Sequence, residues 1–338
     1  MRYGMTPTIR DVAERAGVSI ATASRALSGA RTVTPDNIER VRAAADELGY
    51  RRNAVARALR RKVSSTIGMV VPQISNPFFP SIVEAVERQL QESDRELILC
   101  DSQQDPSIEA RRILALVERQ VDGLIVNPCD MVRSAPAVRA AASRLPLVQL
   151  DRYVQGNVSD WVGVDDDAGI QMLIAHLVST GARSFAFVSS KPTNSSAQLR
   201  LEAYIRATSR LDGRSAQALL LGEFTMDWGR SAATQLVSGG HLPDAIVCGN
   251  DVIALGILRE LTIRGVAVPD DVAVTGFDDI GFAGVCNPAF DDGASAGGTT
   301  GARVCPTPGR ADGASESSRT AHRHRAKHGR SSIDATVP

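Results

Sequence analysis

Between Ser65 and about Asp279 the chain alternates short apolar runs with stretches of helical spacing, and this limits its fold more than any other feature. Ile67-Gly68-Met69-Val70-Val71-Pro72 is apolar throughout, as expected of a parallel strand covered on both faces. Ser81 to Ser93 follows with Ile82, Val83, Val86 and Leu90 at helical spacing. Leu97–Cys100 then reads as a strand and Ile108–Gln120 as a helix. Gly123–Val126, Leu147–Leu150, Phe185–Val188, Ala245–Cys248 and Val272–Thr275 continue the strand series. Repeated strand–helix units predict doubly wound parallel sheets of the α/β class. About 215 residues is long for one sheet, so the pattern predicts two similar subdomains.

Residues 8–62 follow a different pattern, short helices with caps. Thr8 precedes a helix over Ile9–Ala16, with Asp11 in its positive first turn and Gly17 as its stop. Ser19 caps a second helix, Ile20–Leu27. Thr34-Pro35 opens a third, running to about Leu48 with Ile38, Val41, Ala45 and Leu48 on one face. A helix, a tight turn and a short second helix suit the DNA major groove. Ala13, Val18, Ala23 and Leu27 would pack the helices, leaving Thr22, Ser24 and Arg25 outward. Arginine can pair both acceptors of a guanine edge; Ser and Thr suit phosphates.

Charge supports this division. The whole chain is neutral, yet residues 1–62 hold 13 Lys and Arg against 6 Asp and Glu, and the remainder is acidic by the same margin. A basic head on an acidic body predicts a polyanionic partner for the head.

In the body, polar residues gather just beyond predicted strand ends, where open α/β sheets bind ligands: Asn76, Asp151-Arg152, Asn250-Asp251 and Asp278-Asp279. Phe78, Phe79 and Trp228 could cover the apolar face of a ring. Together they suit a polyhydroxylated small molecule, a sugar or nucleoside. Asp165-Asp166-Asp167 reads as helix capping and a solvated turn rather than a metal site.

These motifs resemble one family. Thr8-Ile9-Arg10-Asp11-Val12-Ala13, Ala16-Gly17-Val18-Ser19, Thr22-Ala23-Ser24-Arg25 and Leu48-Gly49-Tyr50 are similar to the DNA-binding head of the lactose-repressor (LacI/GalR) family. Asn53-Ala54-Val55-Ala56-Arg57-Ala58-Leu59 resembles its hinge helix, spanning about residues 53–61. Asn76-Pro77-Phe78-Phe79, Gly249-Asn250-Asp251 and Thr275-Gly276-Phe277-Asp278-Asp279 resemble its periplasmic-binding-protein-like core. The resemblance implies a homodimer on double-stranded operator DNA, contacted through Thr8, Ser19, Ile20, Ala21, Thr22, Ser24, Arg25, Asn53, Ala56 and Leu59. Leu59 would be the wedge that unstacks one minor-groove step. An effector cleft in residues 63–290 would be lined by Asn76, Phe78, Phe79, Asp151, Arg152, Arg200, Trp228, Asn250 and Asp278. Ala23 stands where the family usually has valine, which implies looser helix packing there.

Other functions fit less well. The five cysteines are scattered, with no C-x-x-C pair, so no metal site, cofactor or disulfide framework is implied and a reducing cytoplasm is expected. No apolar run reaches the ~20 residues needed to span a membrane. A free sugar-binding protein of the same core fold is the alternative, but the basic head and the lack of a leader-type N-terminus weigh against it. An enzyme is not expected: G-x-S-x-G, H-E-x-x-H and P-loop patterns are absent, and His176 and His241 are the core's histidines.

After Pro288 the pattern stops. Residues 291–338 contain no leucine and no aromatic residue, so they are expected to form a disordered tail. Codons can be chosen for Phe290–Pro338 such that the same bases, read one position later, spell a peptide with TTVRQP, an amphipathic stretch and VVRAST. That peptide resembles the family's missing C-terminus, which implies a slipped reading frame.

Overall fold

The structure is a computed structural model that describes residues 7–28, 32–51, 63–156, 158–211, 215–240, 242–281 and, as backbone, 302–304. The predicted hinge helix, with Asn53, Ala56 and Leu59, lies outside the described residues, as does His241. The chain divides into two compact units, residues 1–64 and 65–338.

Among its described residues the first unit has three helices: α1 (Ile9–Ala16), α2 (Ile20–Leu27) and α3 (Pro35–Glu47). Thr8 donates both its N–H (2.7 Å) and its hydroxyl (2.8 Å) to Asp11, so the first turn is closed through the aspartate. Gly17 ends α1 in the left-handed region, φ 64°. Arg40 reaches across from α3 to the freed Ala16 carbonyl at 2.6 Å. Ser19 caps α2 as expected, accepting from Thr22 N–H at 3.1 Å. Thr34 stands at the N-cap of α3, but its side chain makes no cap bond. Val12, Ala13, Ala16, Ala23, Ala26, Val41, Ala44 and Ala45 form the core, closed by Val18, Leu27, Ile38 and Leu48. Ala23 is fully buried at the centre.

The second unit has two halves, each built on a five-stranded sheet. The first half contains β1 (Thr66–Val71), α4 (Phe78–Gln91), β2 (Glu96–Asp101), α5 (Pro106–Glu118), β3 (Gly123–Val126), α6 (Ala135–Ala142), β4 (Leu147–Leu150) and β5 (Asp160–Val162). Its strands are parallel in the order β2-β1-β3-β4-β5. The second half contains α7 (Asp166–Ser179), β6 (Ser184–Ser190), α8 (Ser195–Ser209), β7 (Ser215–Gly222), α9 (Met226–Ser238), β8 (Ala245–Cys248), α10 (Asp251–Ile263), β9 (Ala273–Phe277) and β10 (Ala302–Val304). Its order is β10-β9-β8-β6-β7, parallel except for β10.

The second sheet is covered on both faces. Ile170, Leu173, Leu177 and Tyr204 of α7 and α8 pack on Phe185, Phe187, Ala245 and Val247. Ala232, Leu236, Ile253 and Ile257 of α9 and α10 pack on Ala186, Val188, Ile246 and Val274. That double covering is why these strands read as unbroken apolar runs. Of residues 291–338, only the backbone of Ala302–Val304 is described, paired antiparallel with Phe277–Thr275; the rest of the expected tail lies outside the described residues.

Two helices begin earlier than their apolar spacing predicts. Asn76 Oδ1 accepts from Phe78 N–H at 3.1 Å, starting α4 three residues before Ser81. Asp105 accepts from Ser107 and Ile108 N–H, with Pro106 at the first helical position, so α5 starts before Ile108. The two halves meet through backbone as well as side chains. Met131 N–H donates to Thr193 O at 2.8 Å, and Tyr153 N–H to Ser195 Oγ at 3.0 Å.

Candidate functional site

The strand order of each sheet reverses once, between β1 and β3 and between β6 and β8, and ligands of open α/β sheets sit at such reversals. Asn76, Phe78, Asp151, Arg152, Ser196, Arg200, Phe224, Asn250 and Asp278 converge there on a cavity of about 10 Å³, room for one water. A larger open groove beside α6 is lined mainly by apolar side chains and one charge, Arg139. It lacks converging polar groups, so the small strand-end cavity is the candidate site.

Arg200, on α8, is the fixed point. It is 3% exposed, its Nε donates to Asp166 at 2.7 Å, and its Nη1 donates to Gly249 O at 2.7 Å and Asp278 at 3.0 Å. The guanidinium stacks 3.8 Å from the centre of the Phe277 ring. Burial acts to lower its pKa, but Asp166, Asp278 and Asp151 outweigh that and raise it above the ordinary value. Asp166 and Asp278 each rise to about 6, first because burial disfavours the charged carboxylate, with Arg200 pulling down and Asp151 pushing up. Arginine and its acids shift the same way because burial outweighs Arg200 for the carboxylates, while the carboxylates outweigh burial for Arg200.

The other guanidinium is Arg152, 6% exposed. It lies 5.8 Å from the Phe79 ring centre in the first half and 5.4 Å from Phe224 in the second, with Asp151 at 3.7 Å. Burial lowers its pKa, opposed by Asp151. Asp151 is tied down by Asn127 Nδ2 at 3.1 Å and by its own N–H to Val162 O at 2.8 Å. Asp151, Asp278 and Asp279 all have positive φ, at 62°, 106° and 57°, and such strain collects where surrounding structure enforces a site. Several buried atoms in or beside the cavity have no hydrogen-bond partner: Asp151 Oδ1, Asn127 Oδ1, Ser196 Oγ and the donor Arg152 Nε.

Most effector candidates named by the sequence therefore gather in one place, with two corrections. Asp166 is not part of a solvated turn: Asp165 caps α7, accepting from Ala168 N–H at 3.0 Å, while Asp166 turns inward onto Arg200. Trp228 is absent from the cavity lining; its indole N–H donates to Ser189 O at 3.0 Å, and Phe224 supplies the ring instead. Phe79 is 2% exposed and acts from behind, against Arg152. Asn250 is 1% exposed and caps α10 through Ile253 N–H at 3.0 Å while lining the cavity.

In the helical unit, Ser19, Ile20, Ala21 and Arg25 stand exposed at α2, with Ile20 45% exposed, and Thr8 is exposed at α1. Thr22 and Ser24 are half-buried rather than fully outward, because the short α2 turns them toward its flanks. Thr22 Oγ1 lies 2.9 Å from Ser19 Oγ.

A helix-turn-helix unit followed by a two-half core with a polar cleft defines a class, DNA-binding regulators that answer to a small molecule. Residues 8–53 match the family "Bacterial regulatory proteins, lacI family", and residues 64–291 match "Periplasmic binding proteins and sugar binding domain of LacI family". The chain belongs to the LacI family. The transcriptional repressor PurR of Haemophilus influenzae (strain PittEE) is 31% identical over 276 residues, 81% of each chain. The ribose operon repressor of Halalkalibacterium halodurans is 31% identical over 84% of this chain and 83% of its own. A crystal structure of the Lac repressor dimer bound to operator and the anti-inducer ONPF superposes with a TM-score of 0.74 at 28% identity, covering 82% of this chain and 84% of that one. These relatives are repressors, not enzymes, and no helix among the described residues is long and apolar enough to cross a membrane.

Proposed function

We propose that the chain is a cytoplasmic, non-enzymatic homodimeric repressor that binds a near-palindromic operator and releases or grips it according to a polyhydroxylated effector, a sugar or nucleoside. The observation that carries this reading is the Arg200 bracket: a guanidinium held by Asp166, Asp278 and Gly249 O at the strand ends, beside buried polar atoms without partners. Such a cleft meets hydroxyls with carboxylates, amides and rings. Among the described residues its two halves are joined by bonds such as Met131 N–H to Thr193 O, and a molecule held between them is the means by which their relation would change. In the head, Arg25 and the exposed N-terminal turn of α2 read base edges, and Thr8 and Ser19 meet phosphates. Asn53, Ala56 and Leu59 serve the minor groove at the dyad. The Lac repressor, bound as a dimer to operator, supports the same arrangement for this chain.

Selection of binding sites from a random duplex library tests the DNA half of the proposal. A dyad-symmetric site, with half-sites about one helical turn or a multiple apart, is expected. Enrichment of single, unpaired half-sites would contradict the dimer, and no enrichment would contradict operator recognition.

A further inference from the structure

The loop after β3, residues 127–134, reaches both the acids of the cleft and the second half. Asn127 Nδ2 donates to Asp151 at 3.1 Å, and Met131 N–H crosses to Thr193 O at 2.8 Å. Asp130 shapes the loop from within. Its Oδ1 accepts from Val132 N–H at 2.9 Å and Arg133 N–H at 2.8 Å, and its own N–H donates to Ser134 Oγ at 3.2 Å. Such bonds give a loop its shape without fixing its place. Its place is set by Asn127 N–H, which donates to Val70 O at 2.9 Å, and by Gln155 N–H, which donates to Met131 O at 3.0 Å. One side chain from α5, Glu109, completes the set.

Glu109 has no solvent exposure, and its Oε2 accepts from Cys129 N–H at 2.8 Å. Cys129 stands midway between Asn127 and Met131 and is itself buried. A buried N–H without an acceptor is costly, so this amide depends on the carboxylate. Burying a carboxylate is costly too, and burial pushes the Glu109 pKa up. The rest of the buried face of α5 is Ile113 and Leu116, so packing alone calls for an apolar residue at this position. The acid is accounted for by the one amide it meets, at the middle of the loop that bridges the halves. A second bridge, Tyr153 N–H to Ser195 Oγ at 3.0 Å, lies on another loop and closes the same gap.

We infer that Glu109 is a positioning residue for closure of the cleft. Through Cys129 N–H it holds residues 127–134 where Asn127 meets Asp151 and Met131 bonds across to the second half. The regulatory meaning of that closure rests on the effector reading given above.

Hydrogen exchange of the full chain, resolved to single amides, tests this with two variants of similar volume. Glu109→Gln keeps an oxygen for Cys129 N–H, and Glu109→Met fills the same space without one. Glu109→Met is expected to speed exchange at least about tenfold at Cys129, Met131 and Tyr153. Leu124 in β3, whose N–H donates to Pro146 O at 2.9 Å, is expected to stay as in wild type. Glu109→Gln is expected to match wild type at all four amides. In wild type, Cys129, Met131 and Tyr153 are expected to open as one unit, with protection within about tenfold of one another. Loosening confined to Cys129, loosening that includes Leu124, or equal loosening in Glu109→Gln would each overturn the inference. Unrelated protection of the three amides in wild type would do so even if Glu109→Met did not fold. Operator affinity of the same variants separates this from the regulatory reading. The expected pattern with altered operator affinity supports both. The expected pattern with unaltered operator affinity supports the positioning role and removes the link between cleft and head. Wild-type exchange in Glu109→Met overturns the positioning role whatever its operator affinity.

Discussion

Arg200 holds two buried carboxylates, Asp166 and Asp278, at the cleft. Removing one partner of a buried ion network leaves charges without compensation, typically about 3–5 kcal/mol of stability. Arg200→Ala strands Asp166 and Asp278 together and is expected to lose that much in chemical denaturation; a loss below about 1 kcal/mol would mean the bracket is not formed. The acids set a pH dependence of known sign. Asp166 and Asp278 rise from 3.8 to about 6 on folding, by burial, against Arg200 and with Asp151 and Arg152 nearby. Between pH 4 and 6 the unfolded carboxylates have ionised while the folded ones keep protons. The unfolded state thus binds fewer protons, and the pair's contribution to stability falls as pH rises through that window. Asp278→Asn removes one such group, so its Tm relative to wild type is expected to climb from pH 4 to pH 7; a constant difference would contradict the shift. In the head, Arg25 is exposed on α2, and Arg25→Ala is expected to cost about 1–3 kcal/mol in operator binding and relax base preference. A variant that binds cognate and scrambled duplexes as wild type does would refute its role. Arg200, Asp151 and Asp278 were legible through strand-end position and family resemblance. Asp166 was not, because three consecutive aspartates at a helix start all look like caps, and only the helical turn separates the cap from the inward one. Nor could the sequence decide between Trp228 and Phe224, since spacing does not reveal that the indole is used by Ser189 O.

At the scale of elements, long apolar strands were plain in the sequence and marginal ones were not. β5 has three residues and an exposed edge, and β7 begins with Ser215-Ala216-Gln217-Ala218, too polar and small to signal a strand. Apolar spacing misplaces a helix start where a side chain sets the boundary, as Asn76 does for α4. The tightest pairing in the second half is α9 against α10. A Cβ on Gly229 would lie 2.2 Å from Ile253 O, and one on Gly256 would lie 2.1 Å from Met226 O, so the two backbones touch. Gly256→Ala must push the helices apart and is expected to destabilise by at least about 1–3 kcal/mol in urea unfolding. An unchanged midpoint would show that the pair can separate freely.

Across the whole molecule, the family match ends at residue 291, just after the last aromatic residue, Phe290, and the last leucine is Leu261. The first sheet shows a gap of the same kind. One face is packed by α5 and α6, but among the described helices the other meets α4 alone, leaving Ile125, Val148 and Leu150 half-buried and Val162 48% exposed. We propose that a slipped reading frame in the gene accounts for both, and that restoring it gives a chain with a higher Tm and a sharper transition. Gene sequence over codons 290–338 that cannot encode the shifted peptide would end that idea. The central claim is that cleft and head are linked. It is tested most directly by measuring operator affinity, through fluorescence anisotropy of a labelled duplex, with and without whichever polyol stabilises the chain. A change of about 5–150-fold in Kd is expected for wild type, and none for Asp278→Asn with its operator affinity otherwise intact. An operator affinity indifferent to a ligand that demonstrably occupies the cleft would contradict the account.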